Sequence, residues 1–174
     1  MSEPAGRERR NAPLNAIELR ELRLEIEELN TEYGHALDSG DLERWPGFFA
    51  EDAVYRITGR ENFDADLPIG LIYCDGAGML WDRVHAIRKT TTYAPRYLRH
   101  FFSGTRITGI APDGIVGART NYLVLQTQME TETRILQSGF YEDRLVRRLD
   151  RLLIKERHCV YDTLTIPNSL ILPV

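Results

Sequence analysis

The sequence predicts an α+β domain in which helices pack on one face of a strongly curved, mainly antiparallel sheet. Three helical patterns precede residue 91, and four long strand patterns follow from residue 96. Helices followed by a run of strands are typical of the α+β class, whereas regular alternation would indicate a parallel sheet. At 174 residues the chain suits a single core. We therefore predict a flexible, polar N-terminal arm at residues 1–15 and a single α+β domain at residues 16–174.

The helices are predicted from apolar stripes and capping residues. Asn15 is placed to cap the first helix, and Gly40 to end it about six turns later. A short second helix is predicted at residues 41–50, where aromatic side chains need burial. A third is predicted at residues 76–90, with Asp75 as its cap. The stripe of the first helix comprises Leu19, Leu22, Ile26, Leu29, Tyr33, Ala36 and Leu37, and that of the third comprises Leu80, Val84 and Ile87.

The strands are predicted from apolar segments separated by turn residues. Two short strands, at residues 53–58 and 71–73, lie among the helices and flank a polar loop at residues 59–69. Pro112-Asp113-Gly114 and Leu149-Asp150 provide reversals within the later, longer meander. The four long strands are predicted at residues 97–109, 115–129, 135–147 and 152–163.

Composition argues against several partners and compartments. The 22 Lys+Arg and 26 Asp+Glu residues give a net charge of −4, without the basic stripe that binds nucleic acid. No apolar run approaches membrane length, and residues 1–13 lack the apolar stretch of a secretory signal. Two cysteines are too few for a disulfide framework. We therefore expect a cytoplasmic protein with reduced thiols and with no nucleic-acid or membrane partner.

The placement of cysteines and histidines argues against a metal centre in this chain. A Rieske [2Fe–2S] cluster needs two Cys and two His ligands in close pairs. Neither Cys74 nor Cys159 has a His two residues away, and His158 and Cys159 would point to opposite faces of a strand. Spacing alone leaves a two-histidine, one-carboxylate iron site open, but no carboxylates cluster near the scattered histidines. We therefore expect no cofactor in this chain.

Asp52, Tyr55 and His100 form the first candidate site. They could line a pocket as the acid, base and hydrogen-bond donor of an isomerase or dehydratase. The alternative, which we favour, is structural: Asp52 caps the turn between the second helix and the first strand, and the aromatic residues belong to the core. The neighbouring aromatic residues are Trp45, Phe49 and Tyr55.

Arg96, Arg99 and His100 form the second candidate site, at the start of the first long strand. They could hold a carboxylate substrate or an acidic side chain of a partner, or they could form salt bridges within the sheet. Tyr122 lies on the next strand, among apolar side chains that the helices are not expected to cover. Burying such a face in a symmetric trimer would complete the structure, so we predict that the protein is not a monomer. The apolar side chains in question are Tyr122, Val124, Phe140 and Val146.

Several short motifs occur in an order that resembles the β subunits of Rieske-type aromatic-ring-hydroxylating dioxygenases. The likeness covers residues 16–174 and is closest to subunits of enzymes that act on aromatic acids such as terephthalate, salicylate or anthranilate. Ser103-Gly104 departs from it, because the family often has Asn there. The motifs are Trp45-x3-Phe49-x2-Asp52-x2-Tyr55, Leu80-x2-Arg83-x4-Arg88, Arg99-His100, Gly139-x-Tyr141-x-Asp143 and Arg157-x4-Asp162.

This resemblance implies a cystatin-like cone, a fold shared with ketosteroid isomerase and nuclear transport factor. It implies a non-catalytic β subunit in an α3β3 oxygenase with β–β trimer contacts. The partner α subunit would carry the Rieske [2Fe–2S] cluster and mononuclear non-haem Fe(II). Arg96, Arg99, His100 and Tyr122 are then expected at a subunit interface. Two alternatives remain: a stand-alone isomerase or dehydratase that uses Asp52, Tyr55 and His100, and a small-ligand-binding module without chemistry.

Overall fold

The computed structural model describes residues 14–90, 94–163 and 170–174. Most of the predicted arm, residues 1–13, therefore lies outside the described residues. The elements, in chain order, are α1 (Ala16–Asp38), a 3-10 turn (Trp45–Phe48), β1 (Phe49–Gly59), α2 (Arg60–Asp64), β2 (Ile72–Asp75), α3 (Gly76–Lys89), β3 (Arg96–Ile110), β4 (Val116–Gln128), β5 (Arg134–Arg148) and β6 (Arg151–Tyr161).

The strands form one sheet in the order β2-β1-β6-β5-β4-β3. Neighbouring strands are antiparallel, except that β1 runs parallel to β6. Register shifts interrupt the pairing of β1 with β6, β3 with β4, β4 with β5 and β5 with β6, and such bulges bend a sheet. Helix α1 packs against β3 and α3 against β1 and β2, so both helices fill the concave side. The prediction of an α+β cone with a mainly antiparallel sheet is confirmed.

The ends of α1 follow their sequence signals. The Asn15 side chain accepts hydrogen bonds from the N–H groups of Ile17 and Glu18 at 2.9 and 3.0 Å. The Glu18 carboxylate accepts from the Asn15 N–H at 2.8 Å, which completes a capping box. Gly40 has a φ of +74°, the left-handed conformation that ends many helices. One predicted stripe residue is wrong: Leu19 is 38% exposed, because the buried stripe begins at Leu22.

The predicted helix at residues 41–50 is wrong. Only the 3-10 turn forms there, and Phe49 already pairs with Ile154 of β6. Pro46 and Gly47 explain the difference, since proline lacks an N–H donor and glycine disfavours helix. The predicted loop at residues 59–69 instead contains α2.

The other elements lie close to their predicted bounds. The four long strands are confirmed within a few residues, and α3 ends at Lys89. Leu71 lies outside β2, which extends to Asp75. Asp75 occupies the position before α3, but its side chain makes no capping hydrogen bond, so its predicted capping role is wrong.

The apolar side chains that we expected the helices to leave uncovered are buried within the chain. Phe140 is 6% exposed because Phe63 of α2 packs edge-on against it at 5.6 Å and the Arg119 guanidinium lies 4.4 Å from its ring centre. Tyr122 stacks on Tyr141 at 4.6 Å on the concave side. This reason for expecting an oligomer is therefore wrong. The exposed fractions are 3% for Tyr122, 0% for Val124, 6% for Phe140 and 7% for Val146.

Candidate functional site

A buried ion pair lies at the centre of the concave side. Asp143 of β5 and Arg157 of β6 are cross-strand partners. The Arg157 Nε and Nη2 atoms donate to the two Asp143 carboxylate oxygens at 2.9 and 2.7 Å, and Nη2 also donates to Asn30 Oδ1 at 2.5 Å. The two charged side chains are at most 1% exposed. The forked geometry of arginine matches a carboxylate in this way, so the two charges neutralise each other. The third nitrogen of the guanidinium, Nη1, is buried without a partner among the described residues.

Two tyrosine rings enclose the Arg157 guanidinium. Its central carbon lies 4.5 Å from the Tyr33 ring centre and 4.0 Å from the Tyr141 ring centre. Burial alone lowers the pKa of Arg157, but the Asp143 carboxylate outweighs burial and raises it above its usual value. The arginine therefore remains charged, and it holds α1, β5 and β6 together.

The hydroxyl groups of Tyr33 and Tyr55 converge on the main chain of Val174, whereas the buried Tyr141 hydroxyl has no hydrogen-bond partner among the described residues. Tyr33 and Tyr55 donate to the Val174 oxygen at 2.9 and 3.1 Å, and Trp45 Nε1 donates to the Tyr33 hydroxyl at 3.0 Å. Burial raises the pKa of Tyr55 well above its usual value, and the same holds for Tyr141. These phenols therefore stay protonated, so they can donate to a carbonyl oxygen but cannot act as bases near neutral pH.

The first predicted site does not assemble. Tyr55 is fully buried in the core, as the structural interpretation expected. Asp52, however, lies within β1 with its side chain 69% exposed, where it pairs with Lys155. It is therefore neither a capping residue nor part of a pocket with Tyr55 and His100.

His100 pairs instead with Asp38 at the end of α1. The His100 Nδ1 atom lies 2.6 Å from an Asp38 carboxylate oxygen, and the His100 N–H donates to the same carboxylate at 3.0 Å. Both side chains are at most 5% exposed, whereas Arg99, 3.9 Å from Asp38, is 67% exposed. Sequence reasoning missed Asp38, since no local pattern pairs residues that are 62 positions apart.

The outer face of the sheet carries a patch that sequence reasoning also missed. Tyr97, Arg99 and Phe101 alternate along β3 with the buried Leu98 and His100, so they point outward together. This alternation along β3 is the sequence signal from which the outward-facing patch could have been predicted. Arg99 lies beside Leu125 of β4, which in turn lies beside Ile135 of β5. We call Tyr97, Arg99, Phe101 and Ile135, which are 74%, 67%, 51% and 57% exposed, the outer patch.

The two remaining residues predicted at a subunit interface, Tyr122 and Arg96, are less exposed for contact with a partner. The Tyr122 hydroxyl donates to Gln137 at 2.8 Å inside the chain, and its side chain is 3% exposed. A direct interface role for Tyr122 is therefore wrong. Arg96 is half-buried, and its Nε donates to the Ala94 oxygen at 3.1 Å.

The cysteines are placed too far apart to share a ligand. Cys74 lies beside Tyr55 and Cys159 beside Ile57, on opposite sides of β1. Two strand spacings separate them by about 10 Å. Within residues 14–90, 94–163 and 170–174, no three His, Cys, Asp or Glu side chains are grouped to hold a metal ion. No helix in the same part of the chain is long and apolar enough to cross a bilayer.

Comparison with known proteins identifies the family. Residues 18–158 match the model of the SnoaL-like domain. The small subunit of anthranilate 1,2-dioxygenase from Burkholderia cepacia is 38% identical over 86% of this chain and 92% of its own length. The chain belongs to the small subunits of aromatic-ring-hydroxylating dioxygenases.

Two further relatives support the same family assignment. A β subunit of the terminal oxygenase component of terephthalate 1,2-dioxygenase from a Comamonas species is 31% identical over 87% of this chain and 97% of its own length. The crystal structure of a β subunit assigned to an aromatic-ring-hydroxylating dioxygenase from Novosphingobium aromaticivorans is 39% identical, covers 89% of this chain and 98% of that one, and has a TM-score of 0.81.

Proposed function

We propose that this small subunit is a non-catalytic structural component that supports assembly of an iron-bearing α subunit in an aromatic-ring-hydroxylating oxygenase. The outer patch is the observation that carries the proposal. Three large apolar side chains and one arginine stand on one face of the sheet, each more than half exposed. An exposed apolar patch with a central charge is typical of a protein–protein contact.

The concave side supports a structural rather than a catalytic role. The Tyr33 and Tyr55 hydroxyl groups are occupied by the chain's own Val174, and Arg157 is neutralised by Asp143. The pocket acid expected at Asp52 lies on the surface instead. Tyr33, Tyr55 and Arg157 are therefore engaged within the chain itself, and Asp52 does not join them.

The cofactors of the oxygenase would belong to the α subunit. The cysteines do not fit a Rieske cluster, because Cys74 and Cys159 lie on non-adjacent strands. Among the described residues, neither belongs to a group of three or more potential metal ligands. We therefore assign the [2Fe–2S] cluster and the mononuclear iron to the partner. An α3β3 assembly would bury Tyr97, Phe101 and Ile135 of the outer patch against the α subunit, and the expected location is cytoplasmic.

Co-expression with an α subunit that carries the paired Cys-x-His and Cys-x2-His motifs tests this proposal. Ile135→Glu places a charge in the outer patch and should lower the yield of assembled complex by about tenfold or more. Leu149→Glu is the matched control, because Leu149 is 97% exposed in the turn at the far end of β5. Both variants should keep the unfolding midpoint of the isolated chain. Equal yields of complex, or a complete oxygenase that excludes this chain, would contradict the proposal.

A further inference from the structure

An open groove of about 570 Å³ lies between α3 and β2, the strand at one edge of the sheet. A volume of this size is typical of small-molecule sites. The walls are mainly aliphatic, and the side chains of Leu71 and Met79 are exposed, so solvent reaches the groove. The outer patch lies toward the opposite edge of the sheet, so the groove is a separate surface. The aliphatic and methionine residues that line the groove are Leu71, Ile72, Met79, Ile87, Leu170 and Ile171.

Arg83 of α3 places a positive charge in this apolar groove. One of its terminal nitrogens, Nη2, donates to the Ile171 oxygen at 2.7 Å and to the Leu170 oxygen at 3.3 Å, which orients the guanidinium. Both acceptors are main-chain oxygens, so neither contact supplies a carboxylate to neutralise the charge. Among the described residues, Nη1 has no hydrogen-bond partner, and Nε is buried without one. Arg83 therefore keeps both its charge and a donor for a ligand.

The groove has one other charged residue, Asp82, which is exposed, whereas Arg83 is half-buried. Water and salt screen an exposed charge more strongly than a half-buried one. Cys74, a buried residue that also lines the groove, lies within reach of the Arg83 charge. Burial raises the pKa of the Cys74 thiol, and Arg83 opposes that rise. The groove therefore favours an anion over a cation.

We propose that the groove binds a small aliphatic monocarboxylate. The hydrocarbon chain of this ligand lies on the aliphatic walls, and its carboxylate accepts a hydrogen bond from Arg83. The ligand thereby removes the exposed Leu71 and Met79 side chains from water. A guanidinium group matches a carboxylate in shape and charge, and one arginine neutralises one such group.

Titration of the unmodified chain with hexanoate, followed by NMR of the isoleucine methyl groups, gives the first test. Ile72, Ile87 and Ile171 should shift saturably with a midpoint of about 5 mM or below, and Ile135 of the outer patch should not shift. The uncharged 1-hexanol has the same chain length and should bind about tenfold more weakly. Absence of a saturable shift at the three groove residues would overturn the proposal and leave the groove as a contact surface for another chain.

Substitution of the two charged residues gives the second test. Arg83→Gln should weaken hexanoate binding by about tenfold or more relative to any change in hexanol binding, because only the acid uses the charge. Asp82→Asn removes a like charge and should tighten hexanoate binding. Arg88→Gln on the same helix is the control, because Arg88 pairs with Glu43 and does not line the groove. Weaker binding in Asp82→Asn and unchanged binding in Arg83→Gln would overturn the proposal.

Ala86→Phe gives a third test that leaves both charges in place. Ala86 lines the groove at an exposed position of α3, so a phenylalanine side chain there fills the groove without replacing a core residue. Hexanoate binding should weaken by about tenfold or more, while the unfolding midpoint stays close to that of the unmodified chain. Hexanoate binding that is unaffected by Ala86→Phe would overturn the proposal, and this variant decides if Arg83→Gln does not fold.

Discussion

Asp143 and Arg157 face each other on the neighbouring strands β5 and β6 and form a bidentate ion pair, with two hydrogen bonds. Both side chains are at most 1% exposed. The pair joins the sheet to α1 through Asn30. Such a pair is costly to break, because removing one partner leaves the other charge buried without its counter-charge. It is therefore a sensitive point for the stability of the whole cone.

Asp143→Ala should lower the free energy of unfolding by about 3–5 kcal/mol, because Arg157 is left buried without its counter-charge. Asp52→Ala is the control: it removes an exposed partner of Lys155 and should cost less than about 1 kcal/mol. Urea titrations of both variants give the comparison. Similar losses in the two variants would show that the buried pair has no special role.

His158 should make stability depend on pH. Burial, followed by the nearby Arg56 charge, lowers its pKa from 6.5 to about 4 in the folded chain. Between these values the unfolded chain binds a proton that the folded chain excludes, so stability falls as pH falls from 6.5 toward 4. The slope approaches about 1.4 kcal/mol per pH unit. In unfolding titrations at several pH values, His158→Gln should reduce this slope relative to the unmodified chain. The control His85→Gln, at an exposed position, should leave the slope unchanged. Equal slopes in the two variants would contradict the assignment to His158.

The capping box at Asn15 should contribute measurably to α1. Asn15→Ala removes the acceptor for the Ile17 and Glu18 N–H groups and should cost about 0.5–2 kcal/mol in thermal or urea unfolding. Asn15→Asp keeps an acceptor and should cost only a few tenths of a kcal/mol. Equal losses for alanine and aspartate would mean that the cap does not stabilise the helix.

The Asp38–His100 pair should stabilise the contact between α1 and β3. His100→Ala leaves the 5%-exposed Asp38 carboxylate with one fewer hydrogen bond and should cost about 1–3 kcal/mol. His35→Ala, on the exposed side of the same helix, should stay within about 0.5 kcal/mol. An unchanged unfolding midpoint in His100→Ala would show that the pair is incidental.

Local signals predicted the elements that depend on local chemistry. Asn15, Gly40 and the alternation in the four long strands act through neighbouring residues, so the sequence alone places them. The 3-10 turn was missed because aromatic burial around Trp45 indicates a core position but not its helical period. Helix α2 was missed because its polar residues resemble a loop, although Phe63 covers both Phe140 and His158.

The candidate site depends on contacts that no local pattern encodes. Val174 reaches Tyr33 across 141 positions and Tyr55 across 119. Asp52 was misassigned because its place near the start of β1 resembles a cap, whereas the strand begins earlier, at Phe49. The resemblance to a family predicted the subunit class, because it depends on the order of motifs along the chain. That order can be read from the sequence without knowing which side chains touch.

The most direct test of the structural role is turnover per assembled complex. Oxygenase reconstituted with Asp52→Asn, Tyr55→Phe or His100→Gln is separated by size exclusion, and ring hydroxylation is divided by the amount of complex recovered. A structural subunit predicts turnover within about twofold of the unmodified complex for all three variants, with any loss confined to the yield of complex. A drop of about 100-fold in fully assembled complex would contradict the account and identify the substituted residue as catalytic.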